Sequence, residues 1–220
     1  TLANAMANFT KQKVSASMPI CSTSLPTGER VQIVAPPACD LGLYSITIRK
    51  PSSRTFGLGE LEAGGLFSQT REARGRHSDA DEALLALKRD GKWAAFLEMA
   101  VTARKNILIS GATGSGKTTL SKALIQLIPA GERLLTIEDT RELVVPHRNA
   151  VHLLYSKDGQ GQAQVGAKAL LEASLRMRPD RILLQELRDG TAFFYLRNVN
   201  SGHPGSITTV HADSAALAFE

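Results

Sequence analysis

Apolar and polar positions alternate along residues 20–50. Further along they give way to short apolar runs separated by helical stripes. The alternation in Arg30-Val31-Gln32-Ile33-Val34 and Tyr44-Ser45-Ile46-Thr47-Ile48 predicts strands with one buried face. Leu25-Pro26-Thr27-Gly28 predicts a turn, with glycine where a tight turn needs it. Ahead of them, residues 1–13 predict a helix carrying Leu2, Met6 and Phe9 on one side. Between 51 and 80 the pattern breaks at Pro51, Gly57, Gly59 and Gly64-Gly65, followed by a polar stretch to Asp81, which marks a linker. Residues 81–89 predict a short helix (Leu84, Leu85, Leu87). Trp93, Phe96, Leu97, Ala100 and Val101 then recur at helical spacing and predict an amphipathic core helix over 92–104.

From there strand and helix patterns alternate. Strands are predicted at Asn106–Ser110, Leu134–Ile137, Val151–Tyr155, Arg181–Gln185 and Ser206–Val210. Helices are predicted at 117–127, stopped by Pro129, at Val165–Met177, broken before Pro179, and at 190–199. Short apolar strands between longer helices indicate an α/β fold, with a mostly parallel sheet covered on both faces. The expected organisation is the C-terminal part of a small sheet-containing α/β domain at 1–55, a linker at 56–90, and a nucleotide-type α/β domain at 91–220. Both ends read as cut: Thr1 is not a start residue, and Ala215 to Glu220 reads as a helix just beginning.

Ligands of such sheets bind beyond the carboxyl ends of the strands, and the chemistry-bearing segments fall there. Gly111-Ala112-Thr113-Gly114-Ser115-Gly116-Lys117-Thr118 is a complete G-x-x-x-x-G-K-T phosphate loop, with an apolar strand before it and a helix after it. Its glycines let backbone N–H groups converge on phosphate oxygens, and the helix N-terminus adds a favourable field. Lys117 is expected at the β and γ phosphates, and Thr118 as a ligand of Mg²⁺. Thr119 extends the binding segment. The buried strand Arg181-Ile182-Leu183-Leu184-Gln185 ends on Glu186, the favoured catalytic and metal-side carboxylate. The alternative is a surface acid ion-paired to Arg188. Glu138, Asp139 and Glu142 follow another strand on the same edge; one of them is expected to order water or metal, with Glu138 and Asp139 first on geometry and Glu138 taken as a catalytic candidate. The alternative for Asp139 is a cap. His211 follows the last strand and is expected to face the γ-phosphate; His203, in a Gly/Pro turn, is a second candidate for the same role, and the alternative for each is a histidine without a site function. Neither has partners at zinc-ligand spacing.

Composition narrows the picture. With 43% apolar and 21% charged residues the chain reads as soluble and globular. The net charge of +5 is spread out. The run Arg71, Arg74, Arg76 is interleaved with Glu72, Asp79 and Asp81 and reads as a solvated linker. Two cysteines, Cys21 and Cys39, make no disulfide framework. No apolar run approaches the roughly 20 residues a membrane span needs, and no signal peptide is present, so a cytosolic site of action is expected.

The order of the phosphate loop, Thr136-Ile137-Glu138-Asp139-Thr140-Arg141-Glu142-Leu143, Arg178-Pro179-Asp180-Arg181-Ile182-Leu183-Leu184-Gln185-Glu186-Leu187-Arg188-Asp189 and Gly202-His203-Pro204-Gly205-Ser206-Ile207-Thr208-Thr209-Val210-His211-Ala212 resembles the secretion (traffic) ATPase superfamily over roughly residues 20 to 220. Gln185 before Glu186 and the Ser45–Pro51 segment resemble its type IV secretion branch. The resemblance implies a RecA-like P-loop NTPase domain behind an N-terminal domain, and ATP hydrolysis with Mg²⁺. It also implies a homohexameric ring, working with inner-membrane and cytoplasmic components of a secretion machine at the cytoplasmic face of the bacterial inner membrane. It places Glu138, Asp139 and Glu142 in the aspartate box, Glu186 at the end of the Walker B motif, and His203 and His211 in the histidine box. Arg49, and after it Arg54, match the basic N-terminal-domain residues that touch nucleotide. The linker is longer than in pilus relatives. Competing readings are a type II secretion or pilus motor, a nucleic-acid translocase on the same core, and a non-catalytic nucleotide switch. The translocase would want a basic pore loop, and Lys157, Gly159, Gly161 and Lys168 offer little, so no direct nucleic-acid binding is expected. The intact Lys117, Thr118 and Glu186 argue against the switch.

Overall fold

The computed structural model describes residues 1–68, 70, 78–156, 161–188 and 190–219. The linker residues Arg71, Glu72, Arg74 and Arg76, and the loop residues Lys157 and Gly159, lie outside the described residues.

The N-terminal unit packs helix α1 (Leu2–Phe9) on an antiparallel sheet of β1 (Ile20–Ser24), β2 (Arg30–Val34) and β3 (Ser45–Arg49), in that order. β1 and β2 pair from Ile20 with Val34 to Ser24 with Arg30, closed by a turn in which the Gly28 N–H donates to the Leu25 carbonyl at 2.9 Å. Gly28 has φ of 95°, a left-handed conformation that favours glycine. The strand β1 was hidden from sequence reading because its residues, Ile20-Cys21-Ser22-Thr23-Ser24, are mostly small and polar. The face of α1 also differs from expectation. Leu2 and Phe9 are 65% and 53% exposed, and Ala3 and Ala7 are buried against Cys21, Val31 and Ile33, with Met6 half-buried beside them. Small residues at the contact let the helix backbone approach the sheet closely.

Residues 51–68 are exposed throughout, and α2 (Leu58–Ala63) buries nothing. Next, α3 (Asp79–Arg89) packs on α4 (Trp93–Thr102). Ser78 and Asp81 form a capping box at its start, Leu84 is buried, and Lys105 pairs with Asp81 at 2.7 Å. Within α4, Ala100 and Val101 face the core, whereas Trp93, expected there, is 59% exposed. It occupies the first position of the helix, one turn before the buried stripe begins.

The remaining strands are β4 (Ile107–Ser110), β5 (Leu134–Glu138), β6 (Ala150–Leu154), β7 (Arg181–Leu184) and β8 (Ile207–Val210). The helices are α5 (Lys117–Ile125), α6 (Ala167–Ser174) and α7 (Thr191–Asn200). β6-β5-β7 pair in parallel, as do β4 and β8, and a parallel bridge from Glu186 to Thr209 joins the two groups into the order β6-β5-β7-β8-β4. Alternation explains the two apolar layers. Leu135, Ile137, Ile182 and Leu184 face one core with α6 and α7; Leu134 and Leu183 face the other, with α4 and α5. α6 is shorter than its apolar stripe, because Arg176 and Met177 bond back to Ala173 and Ser174 in tighter turns before Arg178, at φ of 50°, and Pro179. The N-terminal unit joins this sheet at its β6 edge. Cys39 bridges Leu153 in antiparallel sense, the Leu154 N–H donates to the Ala38 carbonyl at 2.9 Å, and Val34, Ala38 and Cys39 enter the same apolar core.

Arg181, at the amino end of β7, is fully buried. Its Nε and Nη2 donate to Glu132 at 2.7 and 3.0 Å, and its Nη1 donates to the carbonyls of Val101 and Gly205 at 2.8 and 3.3 Å. Gly205 must stay a glycine, since a Cβ there would stand 2.7 Å from the guanidinium and its φ is 89°. Arg104 is the other cation at Glu132, at 3.6 Å. Arg181→Ala should therefore lower unfolding stability by about 3 kcal/mol, the low end for a broken buried pair. Urea denaturation measures it; a midpoint unchanged from the parent protein would mean that solvent replaces these bonds at no cost.

Candidate functional site

The carboxyl edge of the sheet opens into a cleft of about 600 Å³. It is lined by Thr113–Thr119 of the phosphate loop, Asp139, Thr140 and Glu142 after β5, Gln185, Glu186 and Arg188 after β7, and Thr209 and His211 at the end of β8. Each contributor follows a parallel strand, as the topology requires.

The loop is shaped by its glycines. Gly114 and Gly116 have φ of 78° and 89°, and a Cβ on Gly111 would stand 2.5 Å from the Ser115 hydroxyl and 3.3 Å from its Cβ. α5 starts at Lys117 without a side-chain cap, so the first-turn N–H groups are left to whatever enters the cleft. Lys117 Nζ donates to the carbonyls of Gly111 and Ala112 at 2.7 and 2.8 Å, which holds the ammonium at the mouth of the loop.

Across the cleft the charged groups form one chain. Lys117 Nζ lies 3.5 Å from His211 Nδ1, and His211 Nε2 lies 3.4 Å from Glu186 Oε1. An ammonium only donates and a carboxylate only accepts, so the neutral imidazole that fits both carries its proton on Nε2. Arg188 Nη2 donates to Glu186 Oε2 at 2.6 Å, and its Nη1 lies 3.7 Å from Asp139 Oδ2. The hydrogen bond from Arg188 holds the Glu186 carboxyl below its ordinary value. Partial burial opposes this, and the charges of Arg188 and Lys117 reinforce it. Glu186 is thus ionised at neutral pH. Gln185 accepts the Asp139 N–H at 3.2 Å and ties the two carboxyl-edge segments together.

Not every expected residue comes to this cleft. Glu138 is fully buried beneath it. Successive strand residues face opposite sides, and Glu138 points inward beside Thr136, under the loop that carries Asp139 to the surface. His203 precedes β8 and lies at the other end of the sheet from His211, its Nδ1 donating to the Pro179 carbonyl at 2.8 Å. Arg49 lines a separate cavity of about 910 Å³ with Arg30, Lys50, Arg176, Arg178 and His203, and no carboxylate is among its lining residues. Arg54 pairs with Glu60 and stacks over Phe56. Lys168 lies over the Phe194 ring, 4.2 Å from its centroid. Sequence reading treated Arg188 only as a rival explanation for Glu186 and overlooked Thr140 and Thr209. Arg188 stands two residues beyond the strand-terminal acid, a signal that was available.

The donors present suit a triphosphate with Mg²⁺. The Thr118 hydroxyl and the Glu186 and Asp139 carboxylates are hard oxygen donors on the cleft wall. Among the described residues no group of three or more His, Cys, Asp or Glu could enclose a metal alone. Among the described residues no helix is long and apolar enough to cross a membrane.

The model of the family described as type II/IV secretion system protein matches residues 1–220. The type IV secretion system protein VirB11 of Bartonella quintana is 57% identical over 232 residues, covering all of this chain and 65% of the relative. VirB11 of Brucella suis is 47% identical, over all of this chain and 62% of its own length. The crystal structure of the VirB11 ATPase from the Brucella suis type IV secretion system, in complex with sulphate, superposes with a TM-score of 0.91 at 47% identity, covering 99% of this chain and 65% of that one. The chain thus spans about 65% of the length of the curated Bartonella relatives.

Proposed function

The chain belongs to the type II/IV secretion system protein family, and from that premise we propose that it hydrolyses ATP as part of a hexameric motor. The motor would power assembly of, or export through, a bacterial type IV secretion machine. The observation that carries this reading is the single cleft in which a complete phosphate loop faces Glu186, Asp139, Arg188 and His211. Relatives named as type IV secretion proteins, at 47–57% identity, support the secretion assignment over a pilus motor or a translocase.

In this reading the N–H groups of the loop and of the α5 N-terminus cradle the phosphates, and Lys117 moves from loop carbonyls to phosphate oxygens. Thr118, Asp139 and Glu186 would hold Mg²⁺, which when bound would neutralise phosphate charge. Glu186, kept ionised by Arg188, orients the attacking water and draws on its proton. Arg188 supplies positive charge beside the site of reaction, and His211 links Lys117 to Glu186, so that a change at the terminal phosphate reaches both.

The Arg49 cavity supports a shared site. Five cations line it, and it does not open on this chain's own phosphate loop. We assign that wall to the nucleotide of a neighbouring copy in a ring peripheral to the cytoplasmic face of the inner membrane. Turnover per chain of the full-length protein should then rise with concentration through ring assembly. Arg49→Ala should lower it on the order of tenfold, below the ~10³ of a lone arginine finger because four other cations line the wall. Arg49 is exposed on β3, so melting temperature should hardly move. Specific activity that stays flat while native mass spectrometry shows the ring forming would rule out a shared site.

A further inference from the structure

Beneath the cleft lies a closed polar cluster that ties the Thr136–Leu143 motif to His152, a residue outside every sequence motif. Glu138 Oε1 accepts the backbone N–H groups of Glu142 and Leu143 at 2.9 and 2.7 Å. Its Oε2 accepts the Thr136 hydroxyl at 2.9 Å. Thr136 Oγ1 is in turn 2.9 Å from Nδ1 of His152, which also stands 3.7 Å from Glu138 Oε2. His152 faces Thr136 because the two are register partners on the parallel pair β5 and β6. The proton inventory fixes the directions. The carboxylate can only accept, so the single Thr136 hydroxyl proton goes to Glu138. His152 must therefore donate its Nδ1–H to Thr136. Every group in the chain is buried: Thr136, Glu138 and His152 belong to the interior.

We propose that Glu138 and His152 are positioning residues for the reaction argued above, and that Glu138 does not itself touch the reacting water. The inference rests on the ATPase reading of the cleft. Glu138 already accepts two N–H groups and a hydroxyl, so its lone pairs face the protein. What it holds is the far end of the 139–143 segment, whose Asp139, Thr140 and Glu142 form one wall of the cleft. Arg141 of the same segment is anchored separately by an ion pair with Asp40 of the N-terminal unit. The wall is thus held from below by the Glu138 cluster and from the side by the N-terminal unit. His152, on a strand with no motif of its own, supplies the outermost donor and keeps Thr136 turned toward Glu138.

The test uses Glu138→Gln, His152→Leu, His152→Asn and the double variant Glu138→Gln/His152→Leu in the full-length protein, read in two ways. Hydrogen exchange reports the amides of Glu142 and Leu143 whether or not the protein hydrolyses ATP. These should exchange about tenfold faster in Glu138→Gln and His152→Leu, and close to normally in His152→Asn, which keeps a donor near Nδ1. Steady-state kinetics should show turnover about tenfold lower in the same two variants, with KM for Mg·ATP little changed, because a wall displaced by a fraction of an ångström costs less than the ~10² of a 1 Å misplacement. The double variant should be no worse than the poorer single one, as expected for residues acting as a unit. If Glu138→Gln removed turnover by ~10² or more while His152→Leu left turnover and amide exchange at parent levels, Glu138 would act on the water directly and the proposal would fail. Absence of ATP turnover in the parent protein would defeat the ATPase reading, and unchanged amide exchange in Glu138→Gln and His152→Leu would defeat the positioning cluster independently.

Discussion

Lys117→Ala is expected to abolish hydrolysis and weaken triphosphate binding while leaving the fold in place. The ammonium is half-buried and bonds only to the carbonyls of Gly111 and Ala112 and, at 3.5 Å, to His211. None of these belongs to an apolar core, and water can replace the ammonium at the two carbonyls. Stability should accordingly stay near that of the parent. Binding is different, because a triphosphate brings charge that the loop N–H groups only partly offset. Loss of a hydrogen bond to a charged group costs about 1.5–3 kcal/mol, roughly tenfold to a hundredfold in Kd. Turnover should fall further, by ~10² to 10³, because charge on the transferred group is met by preorganised donors and one of them is gone. Calorimetric titration with a non-hydrolysable ATP analogue separates the two effects. Parent-level affinity in the variant would mean that the nucleotide phosphates do not sit on this loop.

The architecture was legible in the sequence wherever burial enforces a period. β5 and β7 are buried on both faces, so Leu134–Ile137 and Ile182–Leu184 show as apolar runs, and the helices between them follow from stripes and prolines. The nucleotide cleft was legible because its parts follow strand ends in parallel order. A phosphate loop, a strand-terminal acid and a post-strand histidine must share one edge of such a sheet. What escaped reading had other physics. β1 alternates among small polar residues that carry little contrast. α1 packs through Ala3 and Ala7, so its large residues misreport its inner face. The inward turn of Glu138 depends on a register with β6, which the sequence of β5 alone does not contain. His152 had no signal at all beyond being a polar residue in an apolar strand, and its role is defined by Thr136 across the sheet. His203 and His211 share one motif, yet the strand between them, β8, carries one to each end of the sheet.

Glu186→Gln is expected to keep Mg·ATP binding and lose hydrolysis by a factor of about 10² or more, the scale of a positioned acid–base group. Four acids, Glu138, Asp139, Glu142 and Glu186, end or follow strands at this edge, and surroundings separate the three nearest the strand ends. Glu138 is enclosed and committed to Thr136, Glu142 and Leu143. Asp139 reaches the cleft from a loop and faces Arg188 at 3.7 Å. Glu186 lies in the cleft wall directly beyond a strand buried on both faces. Its backbone is bridged to Thr209 of β8, and its two oxygens are fixed by different partners, Arg188 and His211. A carboxylate held at both oxygens against a rigid sheet keeps its direction, and chemistry at phosphate needs that direction as well as a group able to draw on the proton. Glutamine has the same shape and retains a bond to Arg188 through its carbonyl, so the cleft should keep its form and its affinity. It lacks the charge that draws on the water proton, and its amide cannot take that proton. Turnover and nucleotide affinity measured side by side for Glu186→Gln and Asp139→Asn decide the ranking. Near-normal turnover in Glu186→Gln beside a ~10² loss in Asp139→Asn would transfer the water-orienting role to Asp139. Glu186 would then serve to hold Arg188 and His211 in place across the cleft.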